Sequence, residues 1–490
     1  MNDNYEKIPA SEFEFVGEEG RLHDKKLDTK PVSYLRDAFN RFVRNKSSVV
    51  AACIICILIL YAIFAPMLCQ NNYTLSLTDT MYLNYAKLPP RSKLLGWMGL
   101  DGCSDVTVNE STYNSYRAIG IETGRDVILE VYKGPYNDPT AGSKTMFYDI
   151  KVDNYAKIGM LSMTFTTDQY EAILAWEKET GIKVLYPIIT DSKQSDANIW
   201  YETNKKGAAT LDGEGNFKPI YKLKDGEYVY GRVTGTSDAK SYVCRVSLYD
   251  FFIYRYGFEP SFIFGTDGHG ADIFTRLANG ARFSFMLAIC ISSINMIIGA
   301  IYGAIEGYYG GAVDMIMERV SDILSGIPFS VVTVLFQLHF SKKVGVVGSL
   351  IFAFVLTGWI GMASLVRMQF YRFKGQEYVL ASRTLGASDW RIMFKHIFPN
   401  SLGTIVTSCV LVIPGVIFSE SSLTYLGIVN LESSTMTSVG TMLANGREFL
   451  STFPYIIFFP SLFISLLEIS FNLFGNGLRD AFNPSLRGAE

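Results

Sequence analysis

The side chains with most to offer a partner sit in one stretch, Glu377 to Asn400 (EYVLASRTLGASDWRIMFKHIFPN), a polar, helix-breaking segment between two long apolar runs. Their types do not make a catalytic set. They suit docking: Glu377 to Leu385 is helix-forming, Gly386 supplies a permissive backbone at its end, Ser388 or Asp389 can cap a second helix, and Pro399 stops it. On spacing alone, an amphipathic loop lying on a membrane surface fits equally well. Catalytic signatures are absent from the sequence: there is no G-x-x-x-x-G-K-[ST] phosphate loop, no G-x-S-x-G and no H-E-x-x-H. The four histidines, at 23, 269, 339 and 396, and the seven cysteines show no metal-ligand spacing, so no metal is expected.

A second set of polar groups lies inside apolar runs, where a charge is expensive and must face protein or water. Asp322, Glu420 and Glu468 are therefore candidates for pairing between helices or for lining a translocation path, and Asn295 and Asn472 raise the same question with less force. Asp322 and Glu420 stand near span boundaries or beside Gly and Pro, which favours a structural hydrogen bond. Glu468 is deeper in its run, so Glu468, Glu420 and Asn472 are the path-lining candidates. Pro328, Pro414 and Pro460 are expected to bend their helices and shape a cavity between them.

The elements that must position these groups are membrane helices. Of the chain, 49% is hydrophobic and only 19% charged, with a mean hydropathy of +0.18; this predicts a membrane protein with a large soluble part. The net charge of −3 offers no concentrated basic face for nucleic acid. At about 20 apolar residues per crossing, spans fit Ser48–Leu68, Phe283–Tyr302, Ile316–Phe340, Val344–Val366, Leu402–Leu426 and Tyr455–Phe474, six in all. Arg36, Arg41, Arg44 and Lys46 precede the first, which puts both termini and the Glu377–Asn400 segment in the cytoplasm by the positive-inside bias; Lys342 and Lys343 run against it. The first run lies too far inside the chain, without a cleavage site, for a signal peptide.

Residues between Cys69 and about Arg282 then lie outside, too many for a connection. Strand-like runs at Thr145–Val152, Lys183–Ile189, Tyr228–Val233 and Ser241–Leu248, and a helix opened by Asp168 with Glu171 and stopped by Gly181, predict a small α+β ectodomain. Cys53, Cys56, Cys290 and Cys409 fall within spans as packing residues. Cys103 and Cys244 bracket the ectodomain, so a disulfide between them would tie its ends together.

The Glu377–Asn400 segment resembles the cytoplasmic EAA loop of ABC importer permeases, specifically the oligopeptide and dipeptide branch, in its Glu-Tyr-Val, Ala, Arg, Leu-Gly-Ala-Ser, His-Ile and Pro-Asn positions. Leu380, Ser382 and Phe398 depart from it. Gly265-Thr266-Asp267 with Gly270 and Asp272 is similar to the motif before the second span, with Ala271 in place of arginine. Gly307-Tyr308-Tyr309-Gly310-Gly311, Asp314, Arg319, Asp322 and Ile327-Pro328 match the turn after it. Glu420, Leu423 and Leu426-Gly427 resemble the end of the fifth span, and Gly477-Leu478-Arg479-Asp480 with Pro484 the tail, where Asn476 replaces an aspartate.

The resemblance implies an α-helical membrane protein with six transmembrane helices of the ABC importer permease type and a small α+β extracellular domain inserted between helices 1 and 2. The expected division is a cytoplasmic segment 1–47, first helix 48–68, inserted domain 69–264, five-helix core 265–480 with the coupling loop 377–400, and tail 481–490. It further implies a bacterial plasma membrane subunit, embedded in membrane lipid, that moves peptides by coupling to two cytoplasmic ATPase subunits through Glu377, Ala381, Gly386, Ala387, Ser388 and Asp389. Those partners would bind ATP and Mg; this chain would bind no cofactor. A second permease subunit would complete the path and an extracellular substrate-binding lipoprotein would deliver cargo. Within the family, nickel, opine or sugar are alternative cargoes, and a membrane-anchored receptor with a ligand-binding ectodomain is the alternative outside it.

Overall fold

The structure, a computed structural model, describes residues 34–68, 80–93, 96–137, 145–189, 196–204, 207–236, 240–433 and 436–482. Cys69, the first residues of the expected N-terminal segment and the tail bearing Pro484 lie outside the described residues. An amphipathic α1 (Tyr34–Arg44) leads into α2 (Lys46–Leu68), whose sequence is apolar for almost its whole length. Both pack on the last helix: the Ser48 hydroxyl donates to the Leu473 carbonyl at 3.2 Å, and the Phe42 and Phe474 rings meet edge to face.

The inserted region is an α+β unit, as its alternating runs predict. In chain order it comprises β1 (Cys103–Asn109), α3 (Glu110–Thr123), β2 (Ile128–Asn137), β3 (Met146–Asp153), β4 (Met160–Thr166), α4 (Thr167–Thr180), β5 (Leu185–Tyr186), β6 (Leu223–Lys224), β7 (Glu227–Tyr228), β8 (Gly231–Thr234), β9 (Ser241–Ser247) and α5 (Leu248–Tyr256). One antiparallel sheet runs β1-β3-β2; a second runs β4-β9-β5 with β8 also on β9; β6 and β7 form a small ribbon. The expected strand at 183–189 shrinks to β5. The expected helix is α4, but its capping box is Thr166 with Gln169 rather than Asp168 with Glu171, because Thr166 is the residue in extended conformation whose oxygen accepts from the third helical N–H. Gly181 ends it in the left-handed region, as expected.

The expected disulfide is not there. Cys103 pairs with Asp153 in the first sheet, whereas Cys244 stands between Met163 and Gly231 in the second, and both thiols are free. Burial raises the Cys103 thiol to about 11 and the Cys244 thiol to about 12, which keeps both protonated. The insertion is closed by backbone instead. Lys87 N–H donates to the Asp267 carbonyl (3.0 Å), Thr266 N–H to Leu88 (2.9 Å) and Arg91 N–H to Phe262 (2.8 Å), so the departing and returning strands of chain lie side by side.

From there α6 (Ile273–Tyr309) begins, capped by Asp272, whose carboxylate accepts from the N–H groups of Phe274 and Thr275. It is followed by α7 (Gly311–Ser325), α8 (Phe329–Gly358), α9 (Ile360–Phe373), α10 (Glu377–Thr384), α11 (Asp389–Arg391), α12 (Phe398–Tyr425), α13 (Val439–Gly446) and α14 (Tyr455–Phe482). Among the described residues, five helical stretches are long and apolar enough to cross a membrane: Lys46–Leu68, Ile273–Tyr309, Phe329–Phe373, Asp389–Tyr425 and Tyr455–Phe482. That count differs from the expected six. The expected third span, Ile316–Phe340, is interrupted at Gly326-Ile327-Pro328, and its second half runs on into the expected fourth.

The Phe329–Phe373 stretch is not a straight rod. Gly345 sits at φ 80° and ψ 165°, outside any helix. The Phe329 and Phe354 rings lie 4.7 Å apart, although 25 residues of straight helix would separate them by about 37 Å. The Gln337 amide reaches the Val346 carbonyl at 3.1 Å. The chain therefore doubles back at Gly345, a backbone conformation suited to glycine.

Candidate functional site

The segment singled out in the sequence forms a helix, a turn and a second helix. α10 ends in a Schellman motif: Gly386 N–H donates to the Arg383 carbonyl (3.0 Å) and Ala387 N–H to Ser382 (3.1 Å), with Gly386 at φ 81°. No atom lies within 4 Å of where a Gly386 Cβ would stand, so the need for glycine here is conformational and not steric. Ser388, in extended conformation, is the N-cap of α11 but makes no side-chain cap bond, and Asp389 is the first helical residue. The expectation that Pro399 stops this second helix is corrected. Residues 392–397 widen into a π-helical turn, Phe398 N–H reaches back to the Met393 carbonyl, and the helix continues into α12. The wider turn accommodates a proline that has no N–H to give.

One face of the segment is buried and the other bare. Val379, Ile392, Met393 and Ile397 pack with Ala304 and Tyr308 of α6 and Met362, Val366 and Phe370 of α9. Glu377, Ala381, Gly386, Ser388 and Asp389 are exposed, and Ala387 is half-buried. Leu385 is 88% exposed and Trp390, with the Phe394 ring 4.1 Å to one side, 62%, an apolar tip largely open to solvent. The Tyr308 hydroxyl donates to Asp389 Oδ1 at 2.6 Å and accepts from Arg383 at 3.3 Å, which pins both arms of the turn to the end of α6.

The platform beneath is rigid. Gly299, Gly303 and Gly307 occupy one face of α6 at every fourth residue, and a Cβ at those positions would come within 2.7, 2.1 and 2.7 Å of atoms of α9 or its N-cap Trp359, including the carbonyl oxygens of Trp359, Ala363 and Arg367. Only Gly307 is legible as part of a sequence motif, although the four-residue spacing signals all three. Arg367, which no motif marks, is the centre of an ionic cluster. Its guanidinium donates to both Asp314 oxygens (2.6 and 2.9 Å) and both Glu318 oxygens (2.9 and 3.0 Å), with Glu306 at 3.7 Å. Arg367 holds the Asp314 carboxyl below the ordinary carboxylate range, and the Tyr371 hydroxyl also donates to it.

The path-lining candidates separate. Glu420 is 1% exposed, its carboxylate accepting from Ser284 (3.1 Å) and Thr424 (3.2 Å) between α6 and α12. It faces the interior of this chain rather than an open path, because those hydroxyls are its solvent. Asp322 is exposed and pairs with Arg319 one turn away. Glu468 is half-buried, with Oε1 enclosed and without a hydrogen-bond partner among the described residues, and exposed Asn472 donates to its backbone carbonyl. At the other end of α6, Arg276 pairs with Asp267 and Glu432 beside a cavity of about 190 Å³ that also touches His269, Asn445 and Phe449.

Known sequences resemble both ends of the chain. Residues 295–488 match the family described as binding-protein-dependent transport system inner membrane component. Residues 33–90 match the N-terminal TM domain of oligopeptide transport permease C. The oligopeptide transport system permease protein OppC of Bacillus subtilis is 42% identical over 224 residues, 46% of this chain and 72% of the relative. The dipeptide transport system permease protein DppC of the same organism is 41% identical over 225 residues, 46% of this chain and 69% of its own length. The OppC protein of Escherichia coli K12 is 34% identical over 230 residues, covering 47% of this chain and 74% of the relative. On this similarity, and with the helical platform that carries the segment, the chain belongs to the family of binding-protein-dependent transport system inner membrane components.

Proposed function

We propose that this chain is one membrane-spanning permease subunit of an ATP-driven peptide importer. Membership of the family makes it a transport component and not an enzyme, with ATP hydrolysis in the partner ATPase. The observation that carries the reading is the segment 377–397: its inner face is fixed to α6 and α9, while Leu385 and Trp390 stand bare for another protein. Glu377, Ala381, Gly386, Ala387, Ser388 and Asp389 form the coupling surface, to which cytoplasmic ATPase subunits holding ATP and Mg dock. A second permease subunit closes the path, and an external binding lipoprotein supplies peptide, the cargo class named for OppC and DppC.

The doubling back at Gly345 supports six crossings, since it divides Phe329–Phe373 into two antiparallel limbs. Both termini then face the cytoplasm of a bacterial cell and the inserted domain faces outward. That domain docks the binding protein or walls the outer mouth.

The test is co-expression with the candidate ATPases, second permease and binding protein, followed by uptake of labelled peptide into proteoliposomes. ATP-dependent uptake that requires the binding protein is expected. A complex that assembles and hydrolyses ATP but moves no peptide, while moving nickel, opine or sugar, would reassign the cargo; failure to bind any ATPase would remove the coupling assignment itself.

A further inference from the structure

The ionic cluster around Arg367 has a place in the molecule that stability alone does not explain. Arg367 sits on α9, Glu306 on α6, and Asp314 and Glu318 on α7, so one guanidinium joins three helices. Glu306 stands two residues before Tyr308, the residue that holds Asp389 and Arg383 of the coupling segment, and the Arg367 backbone lies against Gly307. Lys374, one turn farther along from Tyr371, donates to the Gly307 carbonyl at 2.9 Å and stacks over Tyr371. α6 and α9 are already locked by the close approach at Gly299, Gly303 and Gly307. α7 has no such packing: among the described residues its one buried side chain is Asp314, and Met315, Ile316, Val320 and Ile323 are exposed. Its attachment to the platform therefore runs through polar links: the Tyr302 hydroxyl on the Met317 carbonyl (2.7 Å), the Tyr371 hydroxyl on Asp314, and Arg367, which alone holds two α7 carboxylates.

We propose that Arg367 is the positioning residue that ties α7 to the α6–α9 platform, so that displacement of the coupling segment moves α7, and the α8 hairpin that follows it, together with the platform. This rests on the coupling reading above. The geometry suits the task. A planar fork that satisfies two carboxylates on one helix resists sliding and rotation, which a lysine ammonium on the same stem does not. Breaking the link leaves α6, α9 and the coupling segment intact, and so leaves ATPase docking intact, while α7 no longer follows.

The experiment uses the complete complex in proteoliposomes and measures ATP hydrolysed per peptide imported. Arg367→Gln is expected to co-purify with the ATPases and to raise that ratio at least about fivefold, the low end of ordinary site-to-site coupling. Arg367→Lys should recover part of the loss. Transport and hydrolysis that fall together at constant ratio in Arg367→Gln would overturn the proposal, because a merely structural cluster behaves so. If Arg367→Gln does not assemble, Glu318→Gln decides, since it removes the charge and one of the two hydrogen bonds that Glu318 accepts at a half-exposed site: a raised ratio supports the link and an unchanged ratio overturns it. A wild-type complex that imports no peptide with ATP would instead overturn the functional reading.

Discussion

The inserted domain and the coupling end both organise themselves around an arginine, and they use it differently. In the inserted domain Arg245 is 2% exposed, grips both Glu122 oxygens at 2.8–2.9 Å and donates to the Ala197 and Pro187 carbonyls. Tyr221 donates to the same glutamate. Around it Trp200, Tyr201, Phe217 and Tyr221 close an aromatic core. At the coupling end Arg367 is 24% exposed on its side chain and has more carboxylates than it can neutralise, while Leu385 and Trp390 stand in the open. The first arrangement is complete within the chain. The second leaves Leu385 and Trp390 exposed, which suits the proposed joint between subunits.

The largest effect expected from breaking this contrast is at Arg245→Ala. Removing one partner of a buried, fully bonded pair leaves Glu122 uncompensated and costs about 3–5 kcal/mol. Limited proteolysis of the detergent-solubilised chain should show the inserted domain cut while the membrane helices survive; equal resistance would mean that the domain does not depend on its buried pair.

Asp272 tests the junction between the two regions. Burial raises its carboxyl to about 6 from 3.8. A raised acid stabilises the fold fully below the lower value and loses that contribution as pH rises through the upper one, so stability should fall by up to about 1.4 kcal/mol per pH unit between roughly pH 4 and 6. Asp272→Asn caps the helix equally well and should flatten that slope in thermal melts; an unchanged slope would locate the titration elsewhere.

Gly386→Val should cost about 1–2 kcal/mol of backbone strain at a positive φ, confined to the turn. Peptide uptake is expected to fall with assembly preserved, and normal uptake would show that the turn is not the joint. The smallest effect is expected from Glu468→Gln, which exchanges a half-buried carboxylate for a neutral amide and should leave stability near its original value or slightly higher. Altered uptake or cargo preference would make Glu468 part of the path; unchanged uptake across peptides of different charge would leave it structural.

How far the sequence revealed this depended on the range of the determining interaction. The turn at Gly386 and the helix ended by Gly181 were legible because glycine at a left-handed position is a local requirement. The continuation through Pro399 was not, since a π turn is chosen by the packing of Ile392, Met393 and Ile397 and not by propensity. The Cys103–Cys244 bridge was inferred from bracketing alone, and bracketing says nothing about which sheet each residue joins. The Arg367 cluster gathers residues from three helices, so no window of sequence contains it. Apolar length alone counts Phe329–Phe373 once; the backbone of Gly345, the Gln337–Val346 hydrogen bond and the ring contact between Phe329 and Phe354 reveal the fold-back.

The short ladder joining residues 87–91 to 262–267 fixes the two ends of the insertion a hydrogen bond apart, whatever lies between them. For the membrane helices the inserted domain is thus a tenant on a single threshold. Its length enters the stability of the rest only through loop closure, where doubling the number of residues costs about 0.6 kcal/mol. Such a doorway lets the outer domain be enlarged, shrunk or exchanged over evolutionary time while α6 still starts from the same capped residue, Asp272. The inserted unit can then change at a different pace from the membrane helices.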